Sequence, residues 1–124
     1  MSRWNVYVTN EIPKPALDML AEVCDMEVNR TGKVLSKPEL LEKVKGRDAV
    51  LSLLTDSIDP EVMAAAKGVK IFANYAVGYN NIDIPAATER GILVTNTPGV
   101  LTDTTAEMAW ALLFSVARRV VESD

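Results

Sequence analysis

The chain contains no histidine, so it lacks the side chain that most often moves protons near neutral pH. Its one cysteine, Cys24, excludes an internal disulfide and, with no second thiol, a thiolate zinc site. An inert thiol among apolar neighbours is the plain reading of it. Long apolar runs are missing too: the longest, residues 108–117, is half of the ~20 residues that span a bilayer. The first residues carry no apolar leader pattern. Positive charge is not in excess, with 13 Lys and Arg against 17 Asp and Glu and a net charge of −4. That leaves no electrostatic footprint for nucleic acid or anionic lipid, while a small anionic substrate needs only a local site. The six glycines nowhere form the three-glycine phosphate-binding fingerprint. A reduced, cytoplasmic setting is expected, with neither membrane nor nucleic acid as partner.

What is present is a rhythm. Of 124 residues, 48% are apolar and 24% charged, a globular composition for one domain or part of a larger protein. A domain this size buries roughly two-thirds of its unfolded surface. Strand signals begin near residues 4, 25, 49, 70 and 92, offsets of 21–24 residues that fit a strand, a loop and a short helix repeated. Segment 49–54 is apolar on both faces, as a covered, mostly parallel five-stranded sheet requires. Segment 25–29 is more polar and belongs nearer an edge. The class is therefore α/β.

Helix boundaries are written in the caps. Pro13 or Pro15 opens a helix presenting Leu17, Leu20 and Cys24 on one face. Ser36 and Glu39 have capping-box spacing, with Gly46 as a stop. Asp59-Pro60 reads as N-cap and first helical residue, and Gly68 closes that helix. Asp83 caps the next, which ends at Gly91. From 102 to 121 the pattern changes to a helix of ~20 residues, apolar around most of its circumference, with Thr104 and Glu107 at capping-box spacing and Asp103 as the alternative cap. A helix lying on a sheet needs one apolar face, so this one expects a second partner. Residues 1–101 read as the domain and 102–124 as a long connecting helix, and the chain reads as either a very small protein or the first part of a larger one.

Two loops are placed to bind a ligand, each after a strand and before a helix. In the first, residues 74–83 (NYAVGYNNID), Gly78 leaves backbone space for an anion and successive N–H groups there make a nest; a turn glycine with Asx caps is the duller alternative. The second, residues 96–104 (NTPGVLTDT), contains a Pro-Gly turn and offers the Thr104 hydroxyl, which capping also explains. Leu53 and Leu54, at the same sheet edge, are core residues of which one can line a pocket. Asp56, Asp59 and Glu61 are accounted for by turns and caps, and Trp110 and Phe114, four apart, by packing.

Taken together, residues 74–83, Ala86-Ala87 through Arg90-Gly91-Ile92, residues 94–99 and residues 102–107 closely resemble the D-isomer-specific 2-hydroxyacid dehydrogenases, with glyoxylate and hydroxypyruvate reductases nearest in aspect. The resemblance covers essentially the whole chain, more loosely before Ala49. It implies a flavodoxin-like, three-layer substrate-binding domain of a two-domain enzyme that reduces a small 2-oxo acid with NAD or NADP as cofactor. It implies that backbone amides at Val77 and Gly78 hold the substrate carboxylate, that Leu53 lines the pocket, and that Thr104 approaches the nicotinamide. It further implies a homodimer through the helix region 108–121. The family's catalytic arginine, glutamate and histidine, like its dinucleotide loop, match no residue here, and Arg118 and Glu107 do not take those roles. Tight cofactor binding and turnover are therefore not expected of this chain alone. Two other accounts compete: the same family acting on 3-phosphoglycerate or another D-2-hydroxy acid, and a non-enzymatic α/β module that self-associates through its last helix. A receiver-like domain shares the rhythm but needs an acidic pair after the first strand.

Overall fold

The computed structural model describes residues 3–122. Five strands, β1 (Trp4–Val8), β2 (Cys24–Val28), β3 (Ala49–Leu53), β4 (Ile71–Tyr75) and β5 (Leu93–Thr95), alternate with helices α1 (Lys14–Val23), α2 (Lys37–Lys43), α3 (Pro60–Ala65) and α4 (Ile84–Glu89). The chain continues into α5 (Thr102–Ala117) and a short 3₁₀ turn, Val120–Glu122. All strand pairings are parallel and the order is β2-β1-β3-β4-β5. The order reverses direction between β1 and β3, the point at which open α/β sheets form a crevice beyond the carboxyl ends of their strands. β2, the polar strand, lies at an edge as its sequence requires.

The period-two side-chain pattern divides each strand between two cores. Val50 and Phe72 point to the side of α2, α3 and α4, and pack with Leu40, Val44, Ile58, Val62 and Ala87. Val6 and Val8 face α1 and pack with Leu17 and Ile12. Three layers result. Tyr7, on the opposite face to Val6 and Val8, lies under Lys43 and Arg47, at 5.8 and 5.3 Å from its ring centre; burial pushes its hydroxyl pKa up. Past α1 the second face of the sheet is thinly covered. An apolar groove of about 380 Å³ there is lined by Val6, Leu20, Cys24, Leu51 and Ile71, and Leu93 is exposed.

The caps act as their spacing requires. Glu39 reaches back to accept from the Ser36 hydroxyl (2.6 Å) and amide (2.8 Å), which hold its carboxyl below the ordinary value. The Asp83 carboxylate accepts from Ala86 N–H at 2.8 Å. Asp59 accepts from Glu61 and Val62 N–H at 3.1 and 3.0 Å and also pairs with Lys37, whose amine is held up in pKa mainly by that contact.

Three expectations are corrected. Cys24 is the first residue of β2 rather than the end of the preceding helix, although it still packs beside Leu20. The long helix ends at Ala117, not 121: Arg119 adopts φ 51°, and its Nε donates to Glu122 at 2.6 Å, closing a separate turn. Thr104 and Glu107 form no capping box. Gly99, at φ 81°, turns the chain ahead of the helix, which starts at Thr102 as expected, so Thr104 lies inside its first turn.

The Asp59 cap carries a pH signature. Burial raises its pKa, but the Lys37 ammonium and the two helix amides outweigh burial and leave it lowered. A lowered folded-state pKa contributes stability above the unfolded value of about 3.9, and this is lost as pH falls through the folded value. Asp59→Asn is expected to lower unfolding free energy at neutral pH by about 0.5–1 kcal/mol. Denaturant titrations of both proteins should converge at acid pH, below the folded-state pKa.

Candidate functional site

Every βα loop of a parallel sheet emerges at the carboxyl edge, so the loops after β3, β4 and β5 meet there by topology alone. Their side chains then lock them together. Asn74, buried at the end of β4, accepts from the Ser52 hydroxyl of β3 at 3.0 Å and donates to Gly78 O and Asn81 Oδ1, both at 3.0 Å. Asn81 Nδ2 donates to the Leu53 and Asp56 carbonyls at 3.0 and 2.9 Å. The Asn81 backbone is itself fixed, since its carbonyl accepts from Ile58 N–H at 2.8 Å beside an isolated parallel bridge of Ile58 with Ile82. Asp56 Oδ2 accepts from Leu53 N–H at 2.8 Å and from the Thr9 hydroxyl, so one carboxylate oxygen spans the gap between β1 and β3.

The loop after β5 orients the exposed part of the loop after β4. Thr97 N–H donates to Ala76 O at 2.9 Å, and Asn96 Nδ2 donates to Val77 O at 2.7 Å. Both peptides are trans, and in a planar trans peptide the N–H points opposite to the C=O. The carbonyls of Ala76 and Val77 therefore point at the 96–97 segment while the amides of Val77 and Gly78 point away from it. Among the described residues neither amide has an acceptor. Two consecutive N–H donors are thus left free on an exposed loop. No group of His, Cys, Asp and Glu among the described residues is arranged to hold a metal ion.

The family model for the catalytic domain of D-isomer specific 2-hydroxyacid dehydrogenases matches residues 6–122. The chain belongs to this family. Glyoxylate reductase of Thermofilum pendens is 52% identical over 125 residues, covering 100% of this chain and 37% of its own length. A solved structure from Thermus thermophilus superposes with a TM-score of 0.85 at 51% identity over 95% of this chain and 38% of its own. An NAD⁺-bound 3-phosphoglycerate dehydrogenase of Entamoeba histolytica gives a TM-score of 0.72 at 28% identity over 92% of this chain and 39% of its own. The chain thus spans little more than a third of the length of the relatives it matches.

Of the four residues singled out in the sequence, three share the carboxyl edge. Leu53 ends β3, half-buried, in register with Tyr75 of β4, and Val77 and Gly78 lie in the loop that follows Tyr75. Thr104 lies apart, exposed in the first turn of α5, with no side-chain hydrogen bond to that loop among the described residues. Asn74, Asn81 and Asn96 were visible in the two candidate loops, but nothing in their spacing says which carbonyls they reach. Asp56 makes the turn its spacing required, and its contact with Thr9 had no local signal.

The Asp56 arrangement makes a sharp prediction, because both donors converge on the same oxygen. Asp56→Ala is expected to destabilise the protein by about 1.5–3 kcal/mol, by leaving the Thr9 hydroxyl and Leu53 amide unpaired. Asp56→Asn, whose amide oxygen can accept both, should cost less than half as much. Equilibrium denaturation of the two variants tests the ordering.

Proposed function

We propose that this chain is the substrate-binding part of a glyoxylate reductase, an enzyme reducing glyoxylate or hydroxypyruvate to the 2-hydroxy acid with NADH or NADPH. The observation that carries the reading is the pair of free, co-oriented amides at Val77 and Gly78. Two N–H donors match the two oxygens of a carboxylate, and each charge-assisted bond is stronger than a neutral one. Glycine at 78 supports the same use. Its φ lies outside the left-handed region, and an added Cβ would meet only Asn80 Oδ1 at 3.9 Å, so neither backbone nor packing demands glycine there; close approach to its N–H does. Leu53 then forms the wall of the pocket beside the carboxylate. The glyoxylate reductase relatives support the substrate, and the bound NAD⁺ of the 3-phosphoglycerate dehydrogenase supports a dinucleotide.

The turns leading into α3 and α4 offer the dinucleotide no phosphate site. The N-terminal amides of α3 and α4 are already taken by Asp59 and Asp83, whose carboxylates would repel a pyrophosphate, and only Thr104 is assigned to approach the nicotinamide. When bound, the dinucleotide supplies the hydride. This chain orients the 2-oxo acid by its carboxylate and walls one side of the cleft. Proton transfer and carbonyl polarisation are assigned to residues of the parent enzyme outside this chain, which alone should not turn over. The apolar residues of α5, among them Trp110 at 60% and Phe114 at 59% exposed, support dimerisation through 108–121. No helix among the described residues is long and apolar enough to cross a membrane, and a cytoplasmic location is part of the proposal.

The test is NAD(P)H oxidation by the full-length enzyme with glyoxylate, hydroxypyruvate, phosphohydroxypyruvate and acetaldehyde. Glyoxylate or hydroxypyruvate should give the highest kcat/KM. Acetaldehyde, which lacks the carboxylate, should fall below glyoxylate by at least about 10²-fold, the worth of two hydrogen bonds to a charge. Preference for phosphohydroxypyruvate would move the enzyme to another substrate within the family; equal rates with acetaldehyde would remove the carboxylate cradle. The chain alone, assayed in parallel, should not exceed a no-protein control.

A further inference from the structure

Of the two peptide groups that present the cradle amides, one is held by backbone and the other by a side chain. The Ala76–Val77 peptide has its carbonyl on Thr97 N–H (2.9 Å), a donor that a side-chain substitution does not remove. The Val77–Gly78 peptide has its carbonyl on Asn96 Nδ2 (2.7 Å), the single donor it has among the described residues. Val77 is exposed and a Cβ at Gly78 would meet only Asn80 Oδ1, at 3.9 Å, so little packing opposes turning of this peptide plane once that bond is gone. Turning it would swing the Gly78 N–H away from its neighbour and replace a donor with a carbonyl oxygen, which repels a carboxylate.

We propose that Asn96 is a positioning residue for the 2-oxo acid carboxylate: its side-chain amide fixes the Val77–Gly78 peptide so that the Gly78 N–H faces the ligand. Asn96 does not touch the substrate in this arrangement; it acts through the peptide it holds. It follows β5 directly and is only partly buried, so changing it does not open a core. The role rests on the proposed carboxylate cradle, and it applies to any 2-oxo acid. A carboxylate at this position would face the Val77 carbonyl with an acceptor in place of a donor and would also place negative charge near the anion.

Because carboxylate binding is shared by ground state and transition state, losing it raises KM and leaves kcat. A merely structural loss lowers the amount of active enzyme and hence apparent kcat, leaving KM. The experiment is steady-state kinetics of the full-length enzyme and its Asn96→Ala and Asn96→Asp variants, with dinucleotide Kd and Tm measured on each. Wild-type turnover is read first, on glyoxylate and then on hydroxypyruvate, and the more active substrate is used throughout. Asn96→Ala is expected to raise KM about tenfold, the worth of one hydrogen bond to a charged group, with kcat and dinucleotide Kd within about twofold of wild type. Asn96→Asp should raise KM at least as far. An Asn96→Ala enzyme with unchanged KM, whether or not kcat falls, overturns the role of Asn96 while leaving the cradle in place. A wild-type enzyme reducing no 2-oxo acid overturns the proposed function and this inference with it.

Discussion

A planar trans peptide cannot point its carbonyl and its N–H the same way, and the candidate site depends on that constraint. Once the Ala76 and Val77 carbonyls are engaged by the segment after β5, the two amides that follow must face the other side. Two donors are thereby left free side by side, and under the proposed function they receive the carboxylate with no cation beside them. That suits an acidic chain with a net charge of −4, in which lysines serve elsewhere, bracing Glu27 of β2 and the α3 cap Asp59 against α2.

The parallel sheet supplies the place and the asparagines supply the rigidity. The strand order reverses between β1 and β3, where open α/β sheets as a class bind ligands at the carboxyl edge, and the loops after β3, β4 and β5 reach that edge. Left to themselves such loops are mobile. Here Asn74 and Asn81 satisfy carbonyls of the loop after β4 and of the loop after β3, and Asp56 ties the loop after β3 back to Thr9, just past β1. No buried side-chain polar atom is left unpaired among the described residues. A network satisfied in full rigidifies the loops it joins, whereas a partly satisfied one would destabilise them. The apolar groove beside Ile71 lies at the opposite, amino-terminal end of the strands and takes no part in this edge.

Much of this was legible in the chain. Strand rhythm, the Asp59 and Asp83 caps and the edge position of β2 follow from periodicity and local hydrogen-bonding chemistry, which act over a few residues. What local reading missed depended on contacts remote in sequence or on backbone turns. Capping-box spacing at Thr104 and Glu107 was not used as a cap, because the helix starts at Thr102, where the pattern placed it, and Thr104 lies inside its first turn. Cys24 continued the apolar stripe of α1 but was taken by β1 as a strand partner, opposite Trp4. The candidate loop at 74–83 could be located, yet the orientation of its amides was not readable, since it is set by Thr97 and Asn96, remote from it in the chain.

The central claim is that the Val77 and Gly78 amides receive a carboxylate. The most direct test is amide NMR of the full-length enzyme isotope-labelled at valine and glycine, titrated with oxamate in the presence of dinucleotide. The Val77 and Gly78 resonances are expected to shift in a saturable way, while the Val6, Val8 and Val28 amides in the sheet interior and edge stay in place. Saturable oxamate binding with the Val77 and Gly78 resonances unmoved would contradict it.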